Sequence, residues 1–182
     1  MIFRSSLILI LLLWLNSIHS QRIFFVSSRS DFSLYEWALS DSLDEEIGSL
    51  DFARLPNDAF NTWNIRIGEI SGFLKLRWKE NPHEWDLRLG NDLISIKPVW
   101  PNQFDQWNMT LDGHNLNLSL RRDKEGLQWI VSTNSRETVL EIINDVVNDP
   151  RDWSLYYYKP LENNSMSVAA LFIAATYSRL FK

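Results

Sequence analysis

Apolar and polar residues alternate with a period of two through most of this 182-residue chain, and this limits what it can fold into. Because successive side chains of a β-strand point to opposite faces, the pattern predicts strands with one buried and one solvated face. The clearest segments are Trp63–Ile67, Leu74–Trp78, Trp85–Leu89, Trp107–Leu111, Leu116–Leu120, Leu127–Val131 and Trp153–Tyr157. Less regular segments are Arg22–Ser27, Phe32–Leu39, Glu45–Arg54, Asp92–Trp100 and Glu137–Val146. We therefore expect about twelve strands.

Turn-forming residues separate these segments at short intervals. Gly90-Asn91 and Asp112-Gly113 are typical of tight turns. Spacings of roughly 8–12 residues between strand starts are typical of an antiparallel sandwich or barrel. Because no linker or low-complexity stretch interrupts the run, we expect residues 21–182 to form one domain. The other predicted turns are Gly72, Asn81-Pro82, Pro101-Asn102, 123–126 and Asp149-Pro150.

The carboxy-terminal segment changes period. Ser165–Phe181 contains no Gly or Pro, and its apolar residues fall on every face of a helix, which predicts a buried helix. The segment is short for a membrane span, which needs roughly 20 residues. Twelve tilted strands close at a radius of roughly 12 Å, and a helix about 10–12 Å across fits inside. The sequence thus predicts a mainly β fold, a closed antiparallel barrel around helix 165–181. The alternative is a lipocalin-like barrel with an amphipathic helix packed outside.

About twelve strands followed by a hydrophobic helix resemble the tubby-like C-terminal barrel superfamily, which includes phospholipid scramblases and the LURP-one-related plant proteins. The resemblance covers most of residues 22–182 and is architectural. It includes the closing segments Asp149-Pro-Arg-Asp-Trp153 and Val168–Phe181. It implies a barrel filled by its own helix and a membrane-associated role, such as the phosphoinositide binding of tubby proteins. No lipid-contacting or calcium-binding residue of the family maps onto this chain.

The amino terminus is typical of a secretory signal peptide. Arg4 is followed by the apolar run Leu7–Leu15 and the polar segment Asn16–Ser20. We expect cleavage after residues 1–20 and a protein that is secreted or held in the cell envelope, with an uncleaved signal anchor as the alternative. Three N-x-S/T sequons fit an exported glycoprotein. Their asparagines are Asn108, Asn117 and Asn163.

Composition excludes several kinds of chemistry. The chain has no cysteine, which excludes disulfides, thiolate zinc sites, Fe–S clusters and cysteine nucleophiles. A net charge of −5 argues against a nucleic-acid partner. His83 and His114 fall in predicted turns, where we expect them to be solvated. Without a nucleotide-binding loop or a catalytic motif, we expect no enzyme activity, no cofactor and no metal.

A run of basic residues opposite the apolar face is the most suggestive surface feature. It lies between Trp63 and Trp100, and it predicts a positive stripe that would bind anionic lipid headgroups or another protein, if the strands are neighbours. Glu69, Glu80 and Asp86 interrupt the run, which makes an ordinary mixed solvated face the competing interpretation. The alternative function is that of a carrier for a small apolar ligand. The basic residues are Arg66, Lys75, Arg77, Lys79, Arg88 and Lys97.

Tryptophan is abundant, and most of it falls on the apolar phase of the predicted strands. Large inward rings would supply a core without disulfides. Trp37 and Trp100 have no clear phase and could line a groove. The tryptophans predicted to lie in the core are Trp63, Trp78, Trp85, Trp107, Trp129 and Trp153.

Overall fold

The structure of the protein is a computed structural model, and it describes residues 22–53, 62–124, 126–147, 149–161 and 164–181. The predicted signal peptide 1–20 and Asn163 lie outside these residues. The described chain contains twelve strands, one α-helix and one 3-10 helix. These are β1 Phe25–Ser30, β2 Ser33–Ser40, β3 Glu46–Phe52, β4 Thr62–Ile67, β5 Ile70–Trp78, β6 Asn81–Leu89, β7 Asp92–Trp100, β8 Gln103–Leu111, β9 His114–Asp123, β10 Gly126–Thr133, β11 Thr138–Val146, β12 Asp149–Tyr157, α1 Asn164–Tyr177 and the 3-10 helix Ser178–Phe181.

The strands form a closed antiparallel barrel, which confirms the predicted fold class. Each strand pairs with its neighbours in sequence, and β1 closes the sheet against β12. At this closure Val26 lies opposite Trp153. Closure leaves no strand edge unpaired, so every strand presents one face to the lumen and one to the outside.

Helix α1 lies inside the barrel. Twelve of its 14 residues are buried, and strands from several sides of the sheet contact it. The ring of Phe172 makes T-shaped contacts with Trp63 of β4 and Trp85 of β6, with ring centroids 5.7 and 4.8 Å apart. The Tyr157 hydroxyl of β12 lies 3.2 Å from Ser167 Oγ. The lumen is therefore filled by protein, unlike the lipocalin-like alternative, in which the helix would pack outside.

The direction of α1 defines two ends of the barrel. At the N end, where α1 begins, Ser165 Oγ donates a hydrogen bond of 2.5 Å to Asp92, the first residue of β7. At the C end, where α1 ends, Tyr177 contacts Trp107, with ring centroids 4.4 Å apart. The turns after β4 and β6 lie at the N end, and the turns after β5 and β7 lie at the C end.

Each even-numbered strand places one tryptophan in the core, which explains the abundance of this residue. Four of these tryptophans, from Trp63 to Trp129, follow one another at intervals of 22 residues. Over this part of the chain, each pair of strands with its two turns therefore spans 22 residues. The six buried rings are Trp37, Trp63, Trp85, Trp107, Trp129 and Trp153.

Two tryptophans lie on the outside at the C end. Trp78 and Trp100 are 57 and 56% exposed, so the prediction that Trp78 belongs to the core is wrong. Each is the last residue of its strand, and the pairing register shifts just before it. The alternation of inward and outward side chains is therefore interrupted before these positions, and both rings lie outside the core.

Three predicted turns lie within strands. Gly72 is inside β5, while Asn81-Pro82 and Asp149-Pro150 begin β6 and β12. The proline positions are compatible with a strand because they lie at its start, beside register shifts where a ladder hydrogen bond is dispensable.

Candidate functional site

The barrel divides the six residues of the predicted basic stripe among different surroundings. All six are exposed to solvent, and five lie on strands β4 to β7, which are neighbours in the barrel. Lys79 lies instead in the turn after β5 at the C end. Arg66 and Arg88 line one groove, and the other four residues do not take part in its described lining.

This groove runs across the outer face of β3 to β6 near the N end and encloses about 630 Å³. Arg66 lies in β4, opposite Ser49 of β3 and Ser71 of β5. Arg88 lies in β6, opposite Phe73 of β5. The cross-strand register therefore places both guanidinium groups beside the same concavity.

Two inward-facing glycines allow the strands beneath the groove to approach closely. A Cβ atom at Gly72 would lie 2.0 Å from the carbonyl oxygen of Arg88. A Cβ atom at Gly48 would lie 2.1 Å from the carbonyl oxygen of Arg66. Such contacts are impossible for any other residue, so glycine is required at both positions. The backbone of each groove arginine thus lies directly over a glycine of the preceding strand.

The arginines of the groove are free to bind an anion. Neither the Arg66 nor the Arg88 guanidinium forms a hydrogen bond or an ion pair with another residue in the described part of the chain. Asn64 and Ser71 add neutral polar side chains to the lining. These two residues carried no charge signal in the sequence, and only the cross-strand register brings them beside the arginines.

One carboxylate also lines the groove. Asp51 accepts a hydrogen bond of 2.7 Å from Ser49 Oγ and lies opposite Asn64 in the sheet. Two guanidinium groups against one carboxylate leave the lining with a net positive charge. The protein as a whole has a net charge of −5, so the groove differs in sign from the rest of the molecule.

The other members of the predicted stripe have different partners or none. The Arg77 guanidinium forms an ion pair with Asp86, with Nε 3.0 Å from Oδ1, and this hydrogen bond raises the pKa of Arg77. The Lys75 ammonium lies 5.5 Å from the ring centroid of Phe73. Lys97 lies opposite Asn108 on the far side of β7. Asp86 therefore interrupts the positive stripe, and the groove is the place where two of its unpaired cations share one concavity.

Exposed apolar side chains flank the groove at the N end. Ile70 lies beside the turn after β4, and Leu93 follows the turn after β6 opposite Arg88. Both side chains are exposed over about half of their surface. The site thus combines two cations with two protruding apolar residues on adjacent hairpins.

The histidines differ from their predicted turn positions. His83 lies in β6, with its ring centroid 4.2 Å from that of Phe104, and burial lowers its pKa. The prediction of a solvated turn is therefore wrong for His83. His114 is exposed and begins β9. The described residues contain no group of three or more His, Asp or Glu side chains placed to hold a metal ion.

Two of the predicted glycosylation sites are neighbours on the barrel wall. Asn108 of β8 and Asn117 of β9 lie directly opposite each other and are half-buried. Asn117 Nδ2 donates a hydrogen bond of 3.4 Å to Asn134. In the folded barrel, two glycans at these positions would share the same patch of surface.

Comparison with known proteins supplies no relative: no family model, no curated protein and no solved structure matches this chain. Within the described ranges, no helix has the length and apolarity that a membrane span requires. The fold and the groove are therefore the basis for a functional proposal.

Proposed function

We propose that this protein is a non-enzymatic binding module that takes up an anionic group in the groove between Arg66 and Arg88. The observation that carries the proposal is that these two guanidinium groups share a concave surface and have no partner among the described residues. Guanidinium groups bind phosphate and carboxylate oxygens in bidentate geometry, and Asn64 and Ser71 can add hydrogen bonds.

The apolar residues beside the groove favour a membrane surface as the source of the anion. Ile70 and Leu93 project from adjacent hairpins near the groove. Apolar side chains that enter the interfacial region add to the electrostatic attraction of anionic lipids. Together with the barrel and its internal helix, this supports the proposed relation to the tubby-like superfamily. The proposed cell location is the exported side of a membrane, reached through the signal peptide.

Charge reversal in the groove tests the proposal. We expect the double variant Arg66→Glu, Arg88→Glu to lose at least about tenfold in affinity for vesicles that contain phosphatidylserine, because each lost basic contact contributes about 1 kcal/mol. Lys79→Glu together with Lys97→Glu is the matched control, since it makes the same change of charge at two exposed positions outside the groove and should bind at least tenfold better than the double variant. Co-sedimentation with these vesicles and with pure phosphatidylcholine vesicles gives the measurement.

Two outcomes decide the source of the anion. Binding of wild-type protein to a soluble phosphate ester but not to vesicles would identify a free ligand. Equal vesicle binding by the double variant and the control would show that the arginines belong to an ordinary solvated face, and it would overturn the proposal. Binding should also weaken as ionic strength rises, because salt screens exposed charges.

A further inference from the structure

The C end of the barrel contains a second cavity. It has a volume of about 340 Å³, which lies in the range of small-molecule sites. Tyr177 and Arg179, at the end of α1 and in the 3-10 helix that follows, form its helical side. The groove described above lies near the N end, so the two sites are independent.

Aromatic rings form one wall of this cavity. Tyr35, Phe52 and Trp63 pack together, with the centroid of Phe52 5.1 Å from that of Tyr35 and 5.4 Å from that of Trp63. Trp85 and Leu76 extend the apolar lining. Phe172 of α1 continues this aromatic cluster, because its ring packs edge-to-face with Trp63 at a centroid distance of 5.7 Å.

The described lining of the cavity carries one positive charge, that of Arg179. Arg179 is the only formally charged residue in the described lining, and no carboxylate faces it there. Its exposed guanidinium forms no hydrogen bond or ion pair with another described residue. The Tyr177 hydroxyl is already engaged, since it accepts a 3.0 Å hydrogen bond from Trp85 Nε1 and lies 3.3 Å from His83 Nδ1. Burial lowers the pKa of His83, which favours the neutral form of this ring.

We infer that this cavity binds a small organic anion with an apolar body, such as an aromatic carboxylate. The carboxylate pairs with Arg179, and the apolar body lies against Tyr35, Phe52 and Trp63. A charge-assisted pair fixes the orientation, while burial of the apolar body supplies most of the affinity. This site differs from that of a lipocalin-like carrier, because the ligand lies at the mouth of the barrel and the lumen is filled by α1.

Arg179 has one competing role. It lies just beyond the last residue of α1, where a positive charge also stabilises the helix dipole. This role would affect the stability of the protein but not its preference among ligands. A pair of ligands that differ only in charge therefore separates the two roles.

Benzoate and its neutral analogue benzamide are the probes. Titration is followed by two-dimensional ¹H–¹⁵N NMR of the indole groups of Trp63 and Trp85, both of which line the cavity. We expect benzoate to shift these two signals and to bind at least about tenfold more tightly than benzamide, the ratio of one charge-assisted hydrogen bond. Arg179→Ala should abolish this preference, and Arg179→Lys should keep part of it.

Arg122→Ala is the control, because Arg122 is exposed on β9 and does not line the cavity. It should leave benzoate binding unchanged. The inference is wrong if benzoate fails to shift the Trp63 and Trp85 signals at millimolar concentration, or if both probes bind equally. It is also wrong if Arg179→Ala lowers the melting temperature but keeps the preference for benzoate.

Discussion

Tyr177 shows how one side chain joins the helix to the wall of the barrel. In β2, β8 and β12 the core tryptophan donates from Nε1 to the carbonyl oxygen three residues earlier, at 2.9 Å in each case. At Trp85 of β6, the Tyr177 hydroxyl of α1 lies between the indole and the carbonyl three residues earlier. It accepts a hydrogen bond from Trp85 Nε1 at 3.0 Å and donates one to the Pro82 carbonyl oxygen at 3.4 Å. The helix thus replaces a hydrogen bond that the hairpins of Trp37, Trp107 and Trp153 make within themselves.

This arrangement makes stability depend on alkaline pH. Burial is the main cause that raises the pKa of Tyr177 to about 12, against 10.0 for an ordinary tyrosine. The unfolded chain therefore loses this proton first, and the stability linked to it is complete below pH 10 and is lost as pH rises toward 12. We expect wild type to lose about 1.4 kcal/mol more than Tyr177→Phe between pH 9 and pH 11, measured by urea unfolding. Equal losses in the two proteins would contradict the prediction.

At the scale of the element, one hairpin design occurs four times. The pairing register shifts by two residues near the C end of the hairpins β1–β2, β5–β6, β7–β8 and β11–β12. In each, one residue of the first strand faces three of the second, and a core tryptophan follows. The shift bends the hairpin at the mouth of the barrel. It also explains why Trp78 and Trp100 end outside the core.

The close approach of β5 and β6 depends on Gly72. Gly72→Ala would place a methyl group 2.0 Å from a backbone carbonyl, so we expect a loss of about 3 kcal/mol or more in the free energy of unfolding, near the upper range for overpacking. Gly113→Ala is the control, because it has a φ of +81° but no atom within 4 Å of the added methyl group. It should cost about 1 kcal/mol, the strain of a left-handed backbone. Equal losses in thermal unfolding would show that the approach of the strands is not constrained.

At the scale of the whole molecule, the barrel and its helix depend on each other. Residues of α1 from Val168 to Ala174 have no exposed surface, and inward side chains of the strands contact them. Isolated from the barrel, a helix apolar on every face would have no soluble surface. Without the helix, the barrel would enclose a large apolar void.

Removal of residues 164–182 tests this dependence. We expect the shortened chain to lose cooperative thermal unfolding and to bind the dye ANS, as a molten state does, because the core tryptophans lose their packing partner. Far-ultraviolet circular dichroism, near-ultraviolet circular dichroism and calorimetry provide the measurements. A truncated protein that unfolds in one sharp transition without dye binding would show that the strands form a complete core by themselves.

The pattern of apolar and polar residues along the sequence was sufficient to predict the strands and the helix of this fold. Period-two alternation predicted seven of the twelve strands, less regular segments predicted the other five, and the apolar segment from Ser165 predicted the helix within one residue of its start. These predictions succeeded because side-chain direction in a strand or helix depends only on nearby residues. The turns at Gly72 and Asn81-Pro82 were wrong because glycine and proline also occur in strands where backbones approach or registers shift.

The sequence by itself determined a barrel of alternating strands with a helix too apolar to lie anywhere but inside it. Only the tertiary structure decided which of the six basic residues lie beside one another in a groove. Arg77 precedes Arg88 by eleven positions and lies in the same stripe of the sequence, yet it pairs with Asp86, while Arg88 shares a groove with Arg66. The physical reason is that charge pairing depends on cross-strand register and on the close approach of backbones at Gly48 and Gly72. Those are distances between strands, and a one-dimensional pattern does not contain them.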